Sequence, residues 1–223
     1  MDVVVTGADT ELGRVVADEF HRAGHRVVVV GADAEALNRN AADLQAAAVV
    51  CDTADPAGLS YAQAGLPYDL DAVVIVPPPE WIGGDPRSMT LTDTAVVWRS
   101  AFDRTVVSAV LTVQALGDHL RSGGSIVSVV SGSAGESGPD VAAKAALSAW
   151  TAVQADRFGV RGITVNAVAS GQPAPPGYDG LAAQMPSAAS EIARLAMFLT
   201  TPAARHITGQ TLHVGRGTAV GYR

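Results

Sequence analysis

Short valine-rich runs alternate with stretches of helical periodicity along most of this chain. Each run is too short for a helix and lacks the apolar–polar alternation of a half-buried strand. The runs therefore predict strands buried on both faces: Val3–Val5, Val27–Val30, Ala72–Val76, Ile126–Val130 and Ile163–Val168. Helical spacing is found at Leu12–Ala23, Ala34–Leu44, about Ala101 to Leu120, Val141–Phe158 and Ala188–Leu199. This order predicts an α/β fold, doubly wound, in which right-handed crossovers place helices on both faces of a parallel sheet.

The composition suits such a fold. Hydrophobic residues make up 48% of the 223 residues and aromatic residues only 5%, so small aliphatic side chains must fill most of the core. Small side chains let helices pack closely on a parallel sheet. Because α/β folds of this length commonly remain undivided, we expect a single domain over residues 1–223.

Charge and rare residue types narrow the classes of function. The formal net charge of −7 argues against a nucleic-acid partner, because affinity for a phosphate backbone comes from clustered Lys and Arg. The sequence shows neither a basic, apolar signal peptide nor a run long enough to cross a membrane. Its lone cysteine, Cys51, fits a reducing compartment. We therefore expect a cytoplasmic protein without membrane partners.

A metal centre is not expected. The five histidines lack the spacing of metal ligands, and one cysteine cannot complete a zinc site. Two long turn-rich segments are more informative, at residues 77–86 and at about 170–187, and both follow predicted strands. Since ligands of open α/β sheets bind outside the carboxyl ends of the strands, we expect these two segments to flank a pocket.

A series of short motifs lies along the predicted strands and helices. The first, Thr6-Gly7-Ala8-Asp9-Thr10-Glu11-Leu12-Gly13, is similar to the fingerprint T-G-x-x-x-G-x-G. Six more follow in order: Asp52, Phe102-Asp103, residues 124–131 (GSIVSVVS), residues 144–147 (KAAL), residues 162–169 (GITVNAVA) and residues 208–214 (TGQTLHV). Together they resemble the short-chain dehydrogenase/reductase family along nearly the whole chain. The resemblance implies a single-domain Rossmann-type sheet of mostly seven parallel strands and an oxidoreductase that uses NAD or NADP.

The catalytic positions implied by this resemblance are only partly filled. Ser131 matches the serine that orients a substrate carbonyl, and Lys144 matches the catalytic lysine. The family's tyrosine, four residues before the lysine, is replaced by Asp140, and its asparagine by Thr105. A phenol ionises near pH ~10 and can be tuned toward neutrality, whereas a carboxyl group ionises near pH ~4 and a nearby ammonium favours its charged form. We therefore expect Asp140 to remain ionised and not to act as an acid.

Asp140 also has an interpretation that involves no chemistry. Gly138-Pro139 is typical of a helix start, where a carboxylate is favoured by the helix dipole and can pair with Lys144 four residues on. Ser131 has a similar alternative, because a serine beside Gly132 at a strand end is a common turn residue.

The cofactor positions implied by the resemblance are a glycine-rich turn and one acidic residue. Thr6, Gly7, Leu12 and Gly13 would hold the pyrophosphate of NAD or NADP at the start of the first helix, and Asp52 would contact the adenine. Asp52 is equally consistent with a solvated turn before a helix cap.

Three departures make cofactor binding doubtful on sequence grounds. Glu11 replaces the middle glycine and brings bulk and negative charge toward the pyrophosphate, unless its side chain turns away. The second predicted strand ends in Gly31-Ala32, which offers neither an acid for ribose hydroxyls nor a base for a 2′-phosphate. The fourth ends in Pro77-Pro78, where the family has Asn-Asn-Ala-Gly.

These observations leave two hypotheses about function. In the first, the chain does not carry out conventional hydride transfer but binds a small molecule or serves as partner subunit of an active relative. In the second, it is an NAD(P)-dependent oxidoreductase of carbonyl or alcohol substrates, in which Ser131 and Lys144 act with a water or Tyr178. By resemblance, the helices predicted at 101–120 and 141–158 would form a homodimer or homotetramer interface, or a hetero-oligomer with an active paralogue.

Overall fold

One parallel sheet organises the chain, whose computed structural model describes residues 1–78, 88–130, 138–170 and 188–214. Within these residues seven strands form the sheet in the order β3-β2-β1-β4-β5-β6-β7. Their bounds are β1 (Asp2–Val5), β2 (Arg26–Gly31), β3 (Ala47–Val50), β4 (Leu70–Ile75), β5 (Leu120–Val130), β6 (Thr164–Ser170) and β7 (Thr211–Val214). Every neighbouring pair is parallel. The predicted doubly wound Rossmann-type fold is confirmed.

The α-helices of the described residues cover both faces of this sheet. They are α1 (Glu11–Arg22), α2 (Ala34–Leu44), α3 (Pro56–Gln63), α4 (Leu91–Phe102), α5 (Ser108–Leu116), α6 (Gly138–Gly159) and α7 (Ala188–Leu199). Val3 and Val5 pack in the layer formed with α1, α2 and α7, whereas Val4 packs in the layer formed with α3, α5 and α6. Both faces of the strands are buried, which explains why the strand sequences show no apolar–polar alternation.

The central pair of strands defines the edge at which a ligand would bind. β1 lies between β2 and β4. Strands β2 and β3 follow on one side of the β1–β4 pair, and β5, β6 and β7 follow on the other side. The carboxyl ends of these strands open into the turn at Gly7 and the segment that begins at Val76. Ligands of doubly wound sheets bind at such a switch point.

The helix predicted at about Ala101 to Leu120 begins earlier than expected. α4 starts at Leu91, where Thr90 and Asp93 form a capping box, and a π-helical turn over Asp103–Val107 joins it to α5. The prediction missed this start because the Thr90–Asp93 capping signal was not recognised before the apolar stretch. Phe102 and Asp103 therefore lie near the middle of the helical segment and not early in it.

No helix in the described ranges has the length and apolar character needed to cross a membrane.

Candidate functional site

The turn after β1 keeps the shape that a glycine-rich turn requires. Gly7 has a φ of +63°, and a Cβ there would lie 2.4 Å from the carbonyl oxygen of Val76. Thr6 is buried, and its Oγ1 accepts a hydrogen bond from the Val76 N–H at 3.2 Å. The turn is thereby fixed against the end of β4. Only glycine satisfies both the positive φ and the close approach at position 7.

Helix α1 begins directly after this turn. The Thr10 hydroxyl donates to the Gly7 carbonyl at 2.7 Å and accepts from the Gly13 N–H at 3.0 Å, so Thr10 caps the helix. A Cβ on Gly13 would lie 2.0 Å from the Gly7 carbonyl oxygen, which shows how closely the helix approaches the turn. Such an approach leaves the positive end of the helix dipole facing the crevice.

The other two motif positions of α1 have different environments. Leu12 is half-buried and packs against the core layer of α1, α2 and α7, so its side chain contributes packing. Glu11 is the first residue of the helix, and its side chain is exposed to solvent. The added bulk of Glu11 has therefore not displaced the turn, although its negative charge remains beside the helix start.

A carboxylate from the turn occupies the region beside the end of β2. Asp9 Oδ2 accepts hydrogen bonds from the backbone N–H groups of Ala32 at 3.0 Å and Asp33 at 2.9 Å. A Cβ on Gly31 would lie 2.6 Å from Asp9 Cγ, so the glycine at this strand end makes room for the carboxyl group. The carboxyl group at Gly31-Ala32 thus comes from the turn after β1.

The turn is also tied to α2. Asn40, which is buried, donates a hydrogen bond from Nδ2 to the Ala8 carbonyl at 2.8 Å. The Ala8 N–H donates to the Val30 carbonyl at 3.0 Å. These bonds hold the turn in one position relative to β2.

The predicted adenine contact, Asp52, lies in a solvated turn. Asp52 is exposed, its Oδ1 accepts from the Ala54 N–H at 2.9 Å, and the adjacent Asp55 caps α3. Cys51 beside it is buried, and burial, together with the neighbouring carboxylates of Asp52 and Asp55, raises the pKa of its thiol. A protonated, buried thiol is a poor nucleophile, so Cys51 is not a candidate for covalent catalysis.

The second half of the site lies at the start of α6. Asp140 is in the first turn of this helix, as predicted, and its side chain is only 8% exposed. Arg104, from the π-helical turn between α4 and α5, places Nη2 2.6 Å from Asp140 Oδ1, and its side chain is 12% exposed. The sequence offered Lys144 as a partner for Asp140, and it did not predict the buried ion pair with Arg104.

This pair limits what Asp140 can do chemically. An ionised carboxylate only accepts hydrogen bonds, and a guanidinium is not deprotonated in proteins, so neither group can donate a proton to a substrate carbonyl. Lys144 is half-buried one helical turn further along α6, and Thr105, at the asparagine position, is buried in the π-helical turn. A buried pair of this kind is costly to break, which makes Asp140 a fixed part of the structure.

Several predicted site residues lie outside the described residues. They are Ser131, Tyr178, most of the predicted loop at 170–187 and the end of the proline-rich segment at 77–86. Of the tyrosines that the structure describes, Tyr61 is 89% exposed and Tyr68 stacks on His119 beside the amino ends of β4 and β5. Neither can replace the missing phenol at the carboxyl edge.

The geometry of the crevice fits one part of a dinucleotide better than the rest. Gly7 and Gly13 keep the turn open toward a pyrophosphate, and Asp9 presents a carboxylate where ribose hydroxyls would lie. Glu11 adds a negative charge to the pyrophosphate region. The residues therefore fit the adenosine ribose, and the turn keeps the shape that a pyrophosphate needs. Across the described ranges, no three His, Cys, Asp or Glu side chains cluster as metal ligands would.

Three contributors to this site were not found from the sequence. Asp9 falls at a variable position of the fingerprint, and Arg104 and Asn40 belong to none of the motifs. A signal existed for Arg104, because an acid in the place of the tyrosine must find a cation if it is buried. No comparable signal marks Asn40, whose partner is a backbone carbonyl 32 residues away.

Comparisons with known proteins agree with this fold. The family model described as enoyl-(acyl carrier protein) reductase matches residues 7–219. A Mycobacterium tuberculosis strain H37Rv protein, provisionally named an oxidoreductase, is 56% identical over 217 residues, covering 97% of each chain. The structure of a hydroxysteroid dehydrogenase from Escherichia coli matches with a TM-score of 0.75 and 26% identity, over 96% of this chain and 93% of that one.

A short-chain dehydrogenase/reductase structure from Brucella melitensis has the same fold, with a TM-score of 0.80 at 24% identity over 99% of this chain and 97% of the other. The order of motifs, the strand order and the family match over residues 7–219 all point to one assignment. The chain belongs to the short-chain dehydrogenase/reductase family.

Proposed function

We propose that this chain binds a small ligand in the crevice at the carboxyl edge of the sheet without transferring hydride by the family's usual tyrosine-dependent route. The ligand would lie between the glycine-rich turn after β1 and the start of α6. Within an assembly, such a chain would act as a binding subunit, alone or beside an active relative.

The buried pair of Arg104 and Asp140 is the observation that carries this proposal. Reduction of a carbonyl requires a proton for the developing alkoxide, and an efficient donor has a pKa near the working pH. A guanidinium 2.6 Å from Asp140 Oδ1 favours the charged form of this carboxyl group, which cannot donate a proton. In the reverse direction the same carboxylate is a weak base, because its conjugate acid is far more acidic than an alcohol or a phenol.

The glycine-rich turn supports the binding half of the proposal. Gly7 keeps its positive φ, Thr10 caps α1, and Asp9 is anchored beside β2. NAD or NADP would place its adenosine ribose near Asp9 and its pyrophosphate near Gly13; such a cofactor would supply the hydride in active members of the family. The chain's own groups at this edge would bind and orient the ligand, and neither Asp140 nor Arg104 can donate a proton to a carbonyl.

A turnover assay tests the proposal directly. The purified protein is mixed with NADH or NADPH and a panel of ketones and aldehydes, or with NAD⁺ or NADP⁺ and a panel of alcohols, and nicotinamide absorbance is followed. We expect no change above the rate without protein. The Escherichia coli hydroxysteroid dehydrogenase, assayed alongside with a hydroxysteroid, shows that the assay detects hydride transfer. Turnover of any pair by the wild-type chain overturns the proposal.

A second candidate is an oxidoreductase with a different proton donor. Lys144 remains on α6, half-buried and one turn beyond Asp140, where the family's lysine lies. The relative that is 56% identical also carries an oxidoreductase name. If the wild-type chain shows turnover, loss of that activity in Tyr178→Phe, with retention in the exposed Tyr61→Phe control, would identify Tyr178 as the donor.

We also propose that the chain assembles through α4 and α6. Exposed apolar side chains lie on both helices, Val96 and Trp98 on α4 and Val141 and Val153 on α6. Exposed apolar surface of this kind is typical of protein interfaces. Sedimentation velocity should show a dimer or tetramer, and Trp98→Glu should shift it toward monomer; a wild-type chain that is monomeric at all concentrations would contradict this.

A further inference from the structure

We infer that Asp9 makes this crevice select nucleotides whose adenosine ribose carries free 2′- and 3′-hydroxyls, as in NAD, over those with a 2′-phosphate, as in NADP. The inference rests on the proposed ligand-binding function and names the ligand class. In the family the discriminating residue follows the second strand; here that position is Gly31, and the acid comes from the turn after β1.

The hydrogen bonds of Asp9 fix which of its oxygens faces a ligand. Oδ2 accepts from both the Ala32 N–H and the Asp33 N–H, at 3.0 and 2.9 Å. Those two amides directly precede α2, and the Asp9 carboxylate already occupies them, while the Asp33 side chain accepts from the Glu35 and Ala36 amides of the first helical turn. None of the described residues donates a hydrogen bond to the other oxygen, Oδ1. The lone pairs of Oδ1 are therefore available to hydroxyl donors of a ligand.

The position of the carboxylate is set by its surroundings. The absence of a side chain at Gly31 leaves the space that Asp9 Cγ fills. Ala8, the preceding residue, is bonded on both sides, through its N–H to Val30 and through its carbonyl to Asn40. Asp9 is therefore prearranged between the carboxyl ends of β1 and β2, and binding does not have to order it.

Two physical effects discriminate at this place. A carboxylate accepts hydrogen bonds from a ribose diol, and bonds to a charged acceptor are about twice as strong as neutral ones. A 2′-phosphate would bring like charge against Asp9 and the neighbouring Asp33, and it would find the Ala32 and Asp33 amides already engaged. Discrimination therefore combines an attraction toward the diol with a repulsion of the phosphate.

Isothermal titration with NAD⁺ and NADP⁺, which differ only in the 2′-phosphate, tests the inference without any turnover. We expect the wild-type chain to bind NAD⁺ at least about tenfold more tightly. Asp9→Asn and Asp9→Ser should reduce this ratio to within about threefold, because both remove the charge while keeping a polar side chain. Glu35→Gln, which removes an exposed charge in the first turn of α2, is the matched control and should keep the wild-type ratio.

The wild-type ratio can be measured even if an Asp9 variant folds poorly. Equal binding of the two nucleotides, tighter binding of NADP⁺, or an unchanged ratio in both Asp9 variants overturns the inference. Failure to bind either nucleotide at millimolar concentration also overturns it, while the absence of hydride transfer would still stand. Conversely, turnover with NAD⁺ selectivity would overturn the proposed function and leave the role of Asp9 intact.

Discussion

The two sides of the crevice both depart from the family's motifs, but the departures have opposite consequences. On the β1–β2 side, Gly31 leaves the space that Asp9 fills, and the Asp9 carboxylate is bonded to the backbone after β2 through Oδ2 alone among the described contacts. On the α4–α6 side, Asp140 in place of the tyrosine is matched by Arg104, which ties the carboxylate to the protein. By the proposals above, the first substitution moves the contact with the ribose to another residue, and the second converts a reacting position into a structural one.

The environments explain this difference. The bonds of Asp9 lie at an exposed loop, where solvent competes with each hydrogen bond and screens the charge. Arg104 and Asp140 are almost completely removed from water, so the loss of either charge leaves the other one buried. A group that faces solvent remains available to a ligand, whereas a group that must neutralise a buried charge does not.

Breaking the buried pair should have the largest effect on stability. Arg104→Met removes the guanidinium and leaves Asp140 as a buried carboxylate without this partner. Loss of one partner of a buried ion pair typically costs about 3–5 kcal/mol. We expect urea unfolding to show a decrease of that order in the free energy of unfolding.

Two controls separate charge from volume in that experiment. The double variant Arg104→Met/Asp140→Leu removes both charges, and it should recover most of the loss because apolar replacements of buried pairs are often neutral or better. Arg99→Met alters an exposed arginine of α4 and should change stability by less than about 0.5 kcal/mol. An Arg104→Met variant as stable as Arg99→Met would show that Asp140 is not held by this pair, and the contrast between the two sides would fail.

An alanine substitution tests the glycine-rich turn on the β1–β2 side of the crevice. Gly13→Ala would place a Cβ 2.0 Å from the Gly7 carbonyl oxygen, so the helix and the turn must separate. Overpacking of this kind costs about 1–3 kcal/mol, and we expect a value in the upper part of that range from thermal or urea unfolding.

Gly159→Ala is the matched control for that variant. A Cβ on Gly159, the last residue of α6, meets no atom within 4 Å, so the variant should be neutral or slightly stabilising. If Gly13→Ala were equally harmless, the turn would tolerate a side chain at this position. The retained shape of the turn would then no longer be an argument for nucleotide binding.

The sheet and most helices could be predicted from the sequence because they depend on local patterns. Runs such as Val3–Val5 are apolar on both faces, which only a sheet covered on both sides can accommodate. The start of α4 at Leu91 was missed, although Thr90 and Asp93 carry a local signal. The strands and helices can thus be predicted from periodicity and capping signals, and the errors of the prediction occur at the ends of these elements.

The contacts that decide function could not be predicted in the same way. Arg104 and Asp140 are 36 residues apart, and Asp9 and Ala32 are 23 apart, so each contact depends on how two elements pack and on side-chain conformations. The motif comparison identified which positions had changed, including Asp140 and Gly31. It could not identify the residue that compensates, because compensation comes from a neighbour in space.

The smallest effect concerns the opposite edge of the sheet and tests whether the two edges are independent. His25 precedes β2 at the amino edge, and burial lowers the pKa of its imidazole below the ordinary value of 6.5. Protons then bind more readily to the unfolded chain, so stability should fall as the pH drops through about 6.5 and below. Asp2 and Asp93, whose pKa values are lowered from 3.8, do not titrate in this range.

Urea unfolding between pH 5.5 and 8 therefore isolates the contribution of His25 when wild type is compared with His25→Gln. The variant should show a flatter dependence on pH, because it lacks the group that takes up the extra proton on unfolding. The double variant Arg104→Met/Asp140→Leu leaves no buried carboxylate of this pair to titrate, and it should keep the wild-type slope, since effects at distant, independent sites are additive. A changed slope in the double variant would mean that the buried pair and the amino edge are coupled, and that the crevice cannot be treated as a separate unit of the fold.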